Sequence, residues 1–150
     1  MAIRNIRTVP DEILAKKCRP VTEFDERLHE LLDDMYETMI DASGAGLAAP
    51  QVGILRRVVV IDVGEGRIEL VNPMIAARSK ETETIHEGCL SLPGRSGLVA
   101  RPKSVTVRAQ DRNGQPFEMT GSGMLASAFC HETDHLDGIM FTSKLIGELS

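Results

Sequence analysis

Aromatic residues are scarce in this sequence, which has no tryptophan, one tyrosine and four phenylalanines among 150 residues. Hydrophobic residues still make up 42% of the chain, as in a folded globular protein rather than a disordered one. The core must therefore be mainly aliphatic, with methionine filling the gaps. A chain of this length predicts a single domain, residues 1–150, with one sizeable core.

The sequence also lacks long apolar runs and clustered positive charge. No run approaches the roughly 20 apolar residues of a membrane span, and residues 1–10 lack the apolar stretch of a secretory signal. Cys18, Cys89 and Cys130 are therefore expected to be free thiols in a reducing cytoplasm. The net charge of −5, without a basic cluster, argues against sequence reading of nucleic acid. We expect a cytoplasmic protein without membrane or nucleic-acid partners.

Hydrophobic periodicity predicts two helices with several strands between them. One helix is predicted over residues 25–41, and a second over residues 124–136, which Gly138 ends. The second helix is apolar around much of its surface, including Met124, Leu125, Ala128 and Phe129, so we expect it to be buried. This order, without regular β–α alternation, favours an α+β fold in which a central helix packs among antiparallel sheets. Strands are predicted at residues 57–63, 68–71, 81–85, 104–110 and 115–120.

The ends and the outer face of the first helix can also be predicted. Thr22 and Asp25 are candidate N-terminal caps, and Gly44 lies just past the C-terminal end. A row of acids on the polar face is most simply a solvated surface, and it consists of Glu30, Asp33, Asp34 and Glu37.

The second helix contains the pattern H-E-x-x-H at residues 131–135. Positions i and i+4 lie on one face of a helix, one turn apart, so His131 and His135 can reach a single metal ion. Glu132 lies next to them, where a general base is needed to take a proton from water. The pattern therefore predicts a hydrolytic metal site, but it does not define the bond that is cut.

Two histidines leave a catalytic metal short of one protein ligand, because such sites usually have three. After Gly138 the chain contains a single acid, Glu148, and no histidine or cysteine, so an upstream ligand is required. Cys130 should face away from its neighbour His131 and is interpreted as a core thiol. Cys18, in a polar segment, is expected at or near the surface. Cys89 follows a predicted strand and Gly88, and spacing alone leaves it equally compatible with a core thiol and a ligand.

A Gly/Ala-rich segment at residues 44–51 lies between the first helix and the first predicted strand. It contains G-x-G-x-x-A, but a dinucleotide-binding loop should follow a strand and open a helix, and this one does neither. A plain tight loop is one alternative. The other is a rim whose exposed backbone binds an extended substrate, with Gln51 as an amide donor.

Three segments together resemble the three motifs of the peptide deformylase family. They are G-x-G-L-A-A-x-Q at residues 44–51, E-G-C-L-S at 87–91 and H-E-x-D-H at 131–135, in this order. The resemblance covers nearly the whole chain and includes Asn72-Pro73 and the Leu136-Asp137-Gly138 that follows the last histidine. One motif alone would be weak, whereas three in order are specific.

The resemblance implies a role for residues in each motif. Cys89, His131 and His135 would hold the metal, and Glu132 would be the general base and acid. Gln51 and the backbone N–H of Leu90 would form the oxyanion site. The implied substrate-binding residues are Gly44, Ala45, Gly46 and Leu47 along the peptide main chain, with Ser127 and Ala128 beside the side-chain pocket.

The resemblance also implies a substrate, a metal and partners. The substrate would be the N-formylmethionyl end of a nascent polypeptide, hydrolysed to release formate. The metal would be Fe²⁺, for which Ni²⁺, Co²⁺ or Zn²⁺ can substitute. Contact with the ribosome is possible for the family, but only a short segment follows Leu145 here.

Two rival functions remain. A zinc endopeptidase of the H-E-x-x-H type would need a downstream third ligand, and a non-catalytic binding module would be expected to lack Glu132 or Gln51.

His29 is interpreted as a surface residue. Because neighbours on a strand point to opposite faces, Glu87 should face away from His86, and we expect it to pair with Arg101.

Overall fold

The computed structural model describes residues 2–150. Within them lie two α-helices, α1 (Glu26–Asp41) and α2 (Met124–Leu136). Short 3-10 helices occupy Glu12–Ala15, Ala49–Val52 and Phe141–Lys144. The strands are β1 (Gly46–Ala48), β2 (Val58–Ile61), β3 (Ile68–Arg78), β4 (Thr82–Cys89), β5 (Leu92–Pro102), β6 (Ser104–Gln110) and β7 (Pro116–Ser122).

The elements form an α+β fold with antiparallel sheets, as the sequence predicted. Five strands pair antiparallel in the order β1-β2-β3-β6-β7, and β4 and β5 form a separate antiparallel hairpin. The fully buried strand β2 contributes to two hydrophobic clusters, one on each face of the sheet. Val58 and Val60 pack with the apolar face of α1, and Val59 and Ile61 pack with α2. The five-stranded sheet therefore lies between the helices, and α2 also contacts the hairpin.

Helix α1 agrees with its prediction except at its ends. The side chain of Asp25 accepts a hydrogen bond from the N–H of Leu28, so Asp25 is the cap and Thr22 is not. The left-handed residue after the helix is Ser43, with φ of 57°, rather than Gly44. The N–H of Gly44 donates to the carbonyl of Met39, which satisfies one of the last helical acceptors.

The prediction that Asp34 belongs to a solvated acidic face is wrong. Asp34 is 2% exposed. Its carboxylate accepts hydrogen bonds from the backbone N–H of Ala2 at 2.7 Å and from Nε of Arg4 at 3.0 Å. The acid therefore anchors the N-terminal segment to α1, a contact that helical periodicity cannot reveal because its partners lie about thirty residues away.

Several strand boundaries also differ from the prediction. β3 continues past Asn72-Pro73 because the chain bulges there, with Asn72 at φ of 52° and a register shift before Met74. β4 extends to Cys89, and β5 was missed because glycine and proline interrupt its alternation. Residues 44–51, which were interpreted as a loop, contain β1, and β1 is an edge strand of the five-stranded sheet.

Helix α2 has the predicted bounds, and most of its residues are buried. Phe129 and Leu136 are fully buried, whereas Met124 is 66% exposed, contrary to the expectation that it would make apolar contact. Cys130 is buried as predicted, and Cys18 is also buried, not at the surface. None of the helices formed by residues 2–150 is long and apolar enough to span a bilayer.

We predict that Asp34→Ala lowers the free energy of unfolding by about 2 kcal/mol, because the Arg4 guanidinium and the Ala2 N–H lose a charged, buried acceptor. Urea unfolding measures the loss. Glu30→Ala, at an exposed position of the same helix, is the matched control and should change stability by less than about 0.5 kcal/mol. Equal losses in the two variants would contradict the anchoring role.

Candidate active site

Three potential metal ligands converge between α2 and the end of β4. The Sγ of Cys89 and one ring nitrogen each of His131 and His135 all lie within 4.8 Å of one another. Cys89 Sγ and His135 Nε2 are 3.2 Å apart. Among residues 2–150, this is the group of His, Cys, Asp and Glu side chains whose geometry could hold a metal ion.

Different elements deliver these ligands. His131 and His135 are one turn apart on α2, and their ring centroids are 5.0 Å from each other. Cys89 ends β4, where the pairing with β5 shifts register after Gly88. A Cβ at Gly88 would make only an ordinary contact, 3.5 Å from the carbonyl oxygen of Arg95. Cys89 therefore lies at the point where the regular pairing of the hairpin ends, next to the helix.

Glu87 connects the hairpin to the helix. Its carboxylate accepts hydrogen bonds from Nε and Nη2 of Arg101, at 2.7 and 3.0 Å, as the predicted pairing requires. It also accepts from Oγ of Ser127 at 2.7 Å and lies 2.8 Å from Nδ1 of His131. Burial alone would raise the pKa of Glu87, but Arg101 and His131 outweigh burial and hold the pKa at about 2. The carboxylate is therefore ionised, and it orients the His131 ring with Nε2 free to bind.

Glu132 is buried beside the ligands and makes a close approach to β1. Its Oε2 lies 4.0 Å from Nε2 of His131, and its Oε1 is buried without a hydrogen-bond partner. A Cβ at Gly46 would lie 2.5 Å from Oε2, so only glycine fits there with Glu132 in this position. Burial raises the pKa of Glu132 to about 7, which suits a group that exchanges protons near neutral pH.

Gln51 is 1% exposed and has a defined amide orientation. Its Oε1 accepts from the backbone N–H of Ala48 at 2.9 Å, so its Nε2 must be the end that faces Ser91 Oγ, at 3.1 Å, and Cys89 Sγ, at 3.5 Å. The backbone of Gln51 also accepts a hydrogen bond from Arg7 in the N-terminal segment. An amide donor is thus held next to Cys89.

A cavity of about 860 Å³ lies beside these groups, and its lining includes Gln51, Glu87, Cys89, His131 and Glu132 but not His135. Gly44, Ala45 and Gly46 form one wall, and Leu90 lines the cavity next to Cys89. Leu47 does not line it, because its side chain is fully buried in the cluster beside α1. The α2 side of the cavity includes Ser127 and Ala128, and the hydroxyl of Ser127 is already bonded to Glu87.

The chemistry of the residues fits a divalent cation. Burial lowers the pKa of His135 to about 3, so its ring is neutral, the form that binds metals. Burial would also lower the pKa of His131, but the charge of Glu132 and hydrogen bonds with Cys89 and Glu87 raise it well above its usual value. These neighbours favour a positive charge near His131, which a metal ion would supply. One thiolate and two imidazoles are a suitable ligand set for zinc, iron or nickel.

The sequence did not reveal several contacts around these ligands. The hydrogen bond from His131 to Glu87 was missed, as was a salt bridge from Arg101 to Asp134 at 3.1 Å. His29 was expected to be a plain surface residue, but it is half-buried and its Nε2 lies 2.8 Å from the carbonyl of Arg112, away from the cavity. For the salt bridge between Arg101 and Asp134, the only signal in the sequence was that an arginine and an aspartate are both present.

Comparisons with known proteins agree with the motifs. A family model described as polypeptide deformylase matches residues 3–148. A peptide deformylase of Alkaliphilus metalliredigens is 58% identical over 148 residues, which cover 99% of this chain and 100% of the relative. One of Caldicellulosiruptor bescii is 58% identical over 146 residues, 97% of this chain and 87% of the relative. The crystal structure of peptide deformylase from Thermotoga maritima matches with a TM-score of 0.95 at 41% identity, covering 97% of this chain and 99% of that one.

We predict that Glu87→Gln weakens metal binding about 10- to 100-fold, because groups that hold a ligand histidine typically contribute this much to metal affinity. Equilibrium dialysis of the metal-free protein against Co²⁺ measures the change. Glu83→Gln is the matched control, since Glu83 lies on the same strand and face but does not contact His131. Unchanged affinity in Glu87→Gln would show that the carboxylate does not orient the ligand.

Proposed function

Because this chain belongs to the polypeptide deformylase family, whose members are metal-dependent hydrolases that remove the N-formyl group from nascent polypeptides, we propose that its catalytic centre is the cavity between α2 and the β4–β5 hairpin. The observation that carries this proposal is the convergence of one thiol and two imidazoles beside the buried Glu132. We propose Cys89, His131 and His135 as the metal ligands.

The bound metal would act as a Lewis acid, lowering the pKa of water and polarising the formyl carbonyl. We assign the proton transfers to Glu132. Its carboxylate would take a proton from the attacking water and return it to the amine that leaves with the peptide. A pKa near 7 allows both steps, because the group can exist in either form at neutral pH. Formate is the second product.

We assign stabilisation of the developing oxyanion to Gln51 and to the backbone N–H of Leu90. Support comes from the Gln51 amide, whose orientation is fixed by Ala48 so that its Nε2 faces the region next to Cys89. A donor held in advance costs no reorganisation in the transition state and is typically worth roughly 2.7–4 kcal/mol.

The substrate would lie along β1. This strand is at the edge of the five-stranded sheet, and an extended peptide can add to such an edge through main-chain hydrogen bonds. Gly44, Ala45 and Gly46 line the cavity there, and the Leu47 side chain would act only through the core. Ser127 and Ala128, on the opposite wall, are small and leave room for the first side chain of the substrate.

The finer assignments are also proposals. Fe²⁺ is our proposed metal, and Ni²⁺, Co²⁺ and Zn²⁺ are possible substitutes, because the soft thiolate and imidazole ligands suit all of them. We place the protein in the cytoplasm, where ribosomes release formylated chains, and contact with the ribosome itself remains a prediction. We also propose that residues 1–150 act as one domain, since the clusters on the two faces of β2 share that strand.

A zinc endopeptidase is not favoured. It would require a third ligand downstream of α2, whereas the ligand group found in residues 2–150 takes Cys89 from upstream. The similarity to peptide deformylases extends along nearly the whole chain rather than only the H-E-x-x-H pattern.

The proposed function is tested by formate release from a formyl-Met peptide by protein purified without oxygen, with the acetylated peptide as control. We predict that Glu132→Gln retains its metal but releases formate at least about 100-fold more slowly, because it cannot transfer protons. Near-normal turnover in this variant would contradict the role of Glu132. Cleavage of internal peptide bonds by the wild type, without formate release, would contradict deformylation.

We predict that Gly46→Ala lowers kcat by about 100-fold, because the new methyl group displaces the Glu132 carboxylate and misplacement by about 1 Å can have this effect. Metal content should not change. The control is Gly64→Ala, where a Cβ meets no atom within 4 Å, although the positive φ of 104° adds local strain. If both variants keep normal kcat, Glu132 does not act from the position described here.

A further inference from the structure

The segment that follows α2 touches both elements that carry the proposed metal ligands. We call residues 141–146 the brace. Phe141 begins its 3-10 helix and packs against α2, and Leu145 and Ile146 run beside β5. The proposed mechanism uses none of these residues, although the helix and the hairpin that they contact supply all three ligands.

The Phe141 ring lies beside the His131 ring, in a near-parallel orientation. The ring centroids are 6.0 Å apart and the planes differ by 25°, an offset stacked arrangement, and Phe141 is only 1% exposed. The hydrogen bond between Nδ1 of His131 and Glu87 fixes the direction of Nε2 but still allows the ring to tilt about that bond. A buried ring next to the imidazole restricts the space available for this tilt. Glu87 therefore sets the direction of the His131 ring, and Phe141 limits how far its plane can turn.

The hairpin that carries Cys89 needs support beyond its own two strands. β4 and β5 pair with each other and with no other named strand of residues 2–150, and an isolated two-stranded hairpin is marginally stable in water. The brace pairs with the free edge of β5. Leu145 forms an antiparallel bridge with Val99, and the N–H of Ile146 donates to the carbonyl of Leu98 at 2.8 Å.

Side-chain packing reinforces this pairing. A Cβ at Gly97 would overlap the side chain of Leu145, so the missing side chain provides the space that Leu145 fills. Gly97 is buried, although its neighbours Leu98 and Ser96 are exposed and half-buried. The brace thus fits the edge of β5 closely, and β5 in turn holds β4 and its terminal Cys89 through eight paired positions.

We propose that the brace is a positioning element, which keeps the ligand on the hairpin and the ligands on α2 in a single geometry. This inference rests on the proposed assignment of Cys89, His131 and His135 as metal ligands. Loss of the Phe141 ring should let His131 tilt, and loss of the Ile146 hydrogen bond should let the hairpin move away from α2. Both changes should speed metal release and lower kcat more than they change KM, because the cavity wall formed by β1 is untouched.

The experiment compares Phe141→Leu with Phe129→Leu. Both phenylalanines are buried, but Phe129 packs against the five-stranded sheet rather than against a ligand. Release of Co²⁺ from the loaded protein to excess chelator gives the rate, and thermal unfolding of the metal-free forms gives the Tm. We expect about tenfold faster release for Phe141→Leu, wild-type release for Phe129→Leu, and similar losses of Tm. The visible absorption of bound Co²⁺, which reports ligand geometry, should change only in Phe141→Leu.

Two further variants keep the test decisive. Phe141→Met fills most of the space without a ring, so it should fold and still release Co²⁺ faster if Phe141→Leu fails to fold. Ile146→Pro removes the N–H that bonds Leu98, whereas Ile146→Ala keeps it and removes only a side chain that is 52% exposed. We expect faster release for the proline variant alone.

The possible outcomes separate this inference from the proposed function. If release from the Phe141 variants matches that from Phe129→Leu, with equal losses of Tm, Phe141 is an ordinary core residue and the inference is wrong. If Ile146→Pro and Ile146→Ala behave alike, the pairing with β5 does not position Cys89. If the wild type binds no Co²⁺, the proposed metal site itself fails, and the inference fails with it.

Discussion

The carboxylate of Glu87 is the contact on which the geometry of the candidate site depends. It joins Arg101 on β5 to Ser127 and His131 on α2, so one side chain connects the hairpin to the helix. A buried ion pair contributes little net stability, because desolvation offsets the attraction, but removal of one partner leaves a buried charge that typically costs 3–5 kcal/mol. The main effect of the Glu87 contacts is therefore to position the side chains that they join, rather than to stabilise the fold. They set the distance between the strand that carries Cys89 and the helix that carries the histidines.

The layered fold makes such a contact possible. Helix α2 lies between the five-stranded sheet and the hairpin, so one of its faces packs Phe129 against aliphatic strands while another presents His131 and His135 to the hairpin. The scarcity of aromatic residues is consistent with this arrangement, because the strands pack through valine, isoleucine and leucine. Buried polar groups are then concentrated around the candidate metal ligands Cys89, His131 and His135.

Local patterns were enough to predict much of this structure, and long-range contacts account for most of the errors. Periodicity predicted α2 and β6 at their observed bounds because the pattern of buried residues repeats within each element. The bulge at Asn72 and the strand β5 were missed, since proline and glycine normally end a strand and only pairing with neighbours maintains it there. Asp34 was assigned to the surface because its partners lie in the N-terminal segment.

In the candidate site, too, local patterns predicted some features and long-range contacts account for the rest. The spacing of the histidines placed them one turn apart, but spacing left Cys89 undecided, and the resemblance to the family was needed to assign it. The structure adds the convergence of the three side chains and the Glu87 and Phe141 contacts that orient His131. The Cys89 and Glu87 contacts require the hairpin to fold against α2, and the Phe141 contact requires the segment after α2 to fold back onto the helix.

The central claim is that Cys89 and two imidazoles bind one metal ion. X-ray absorption at the edge of the metal in protein purified without oxygen tests it most directly. We expect one sulfur scatterer at roughly 2.3 Å, as for zinc–thiolate bonds, together with nitrogen scatterers from two imidazoles at about 2.0–2.1 Å. A shell containing only nitrogen and oxygen would contradict the account, because Cys89 would then not be a ligand.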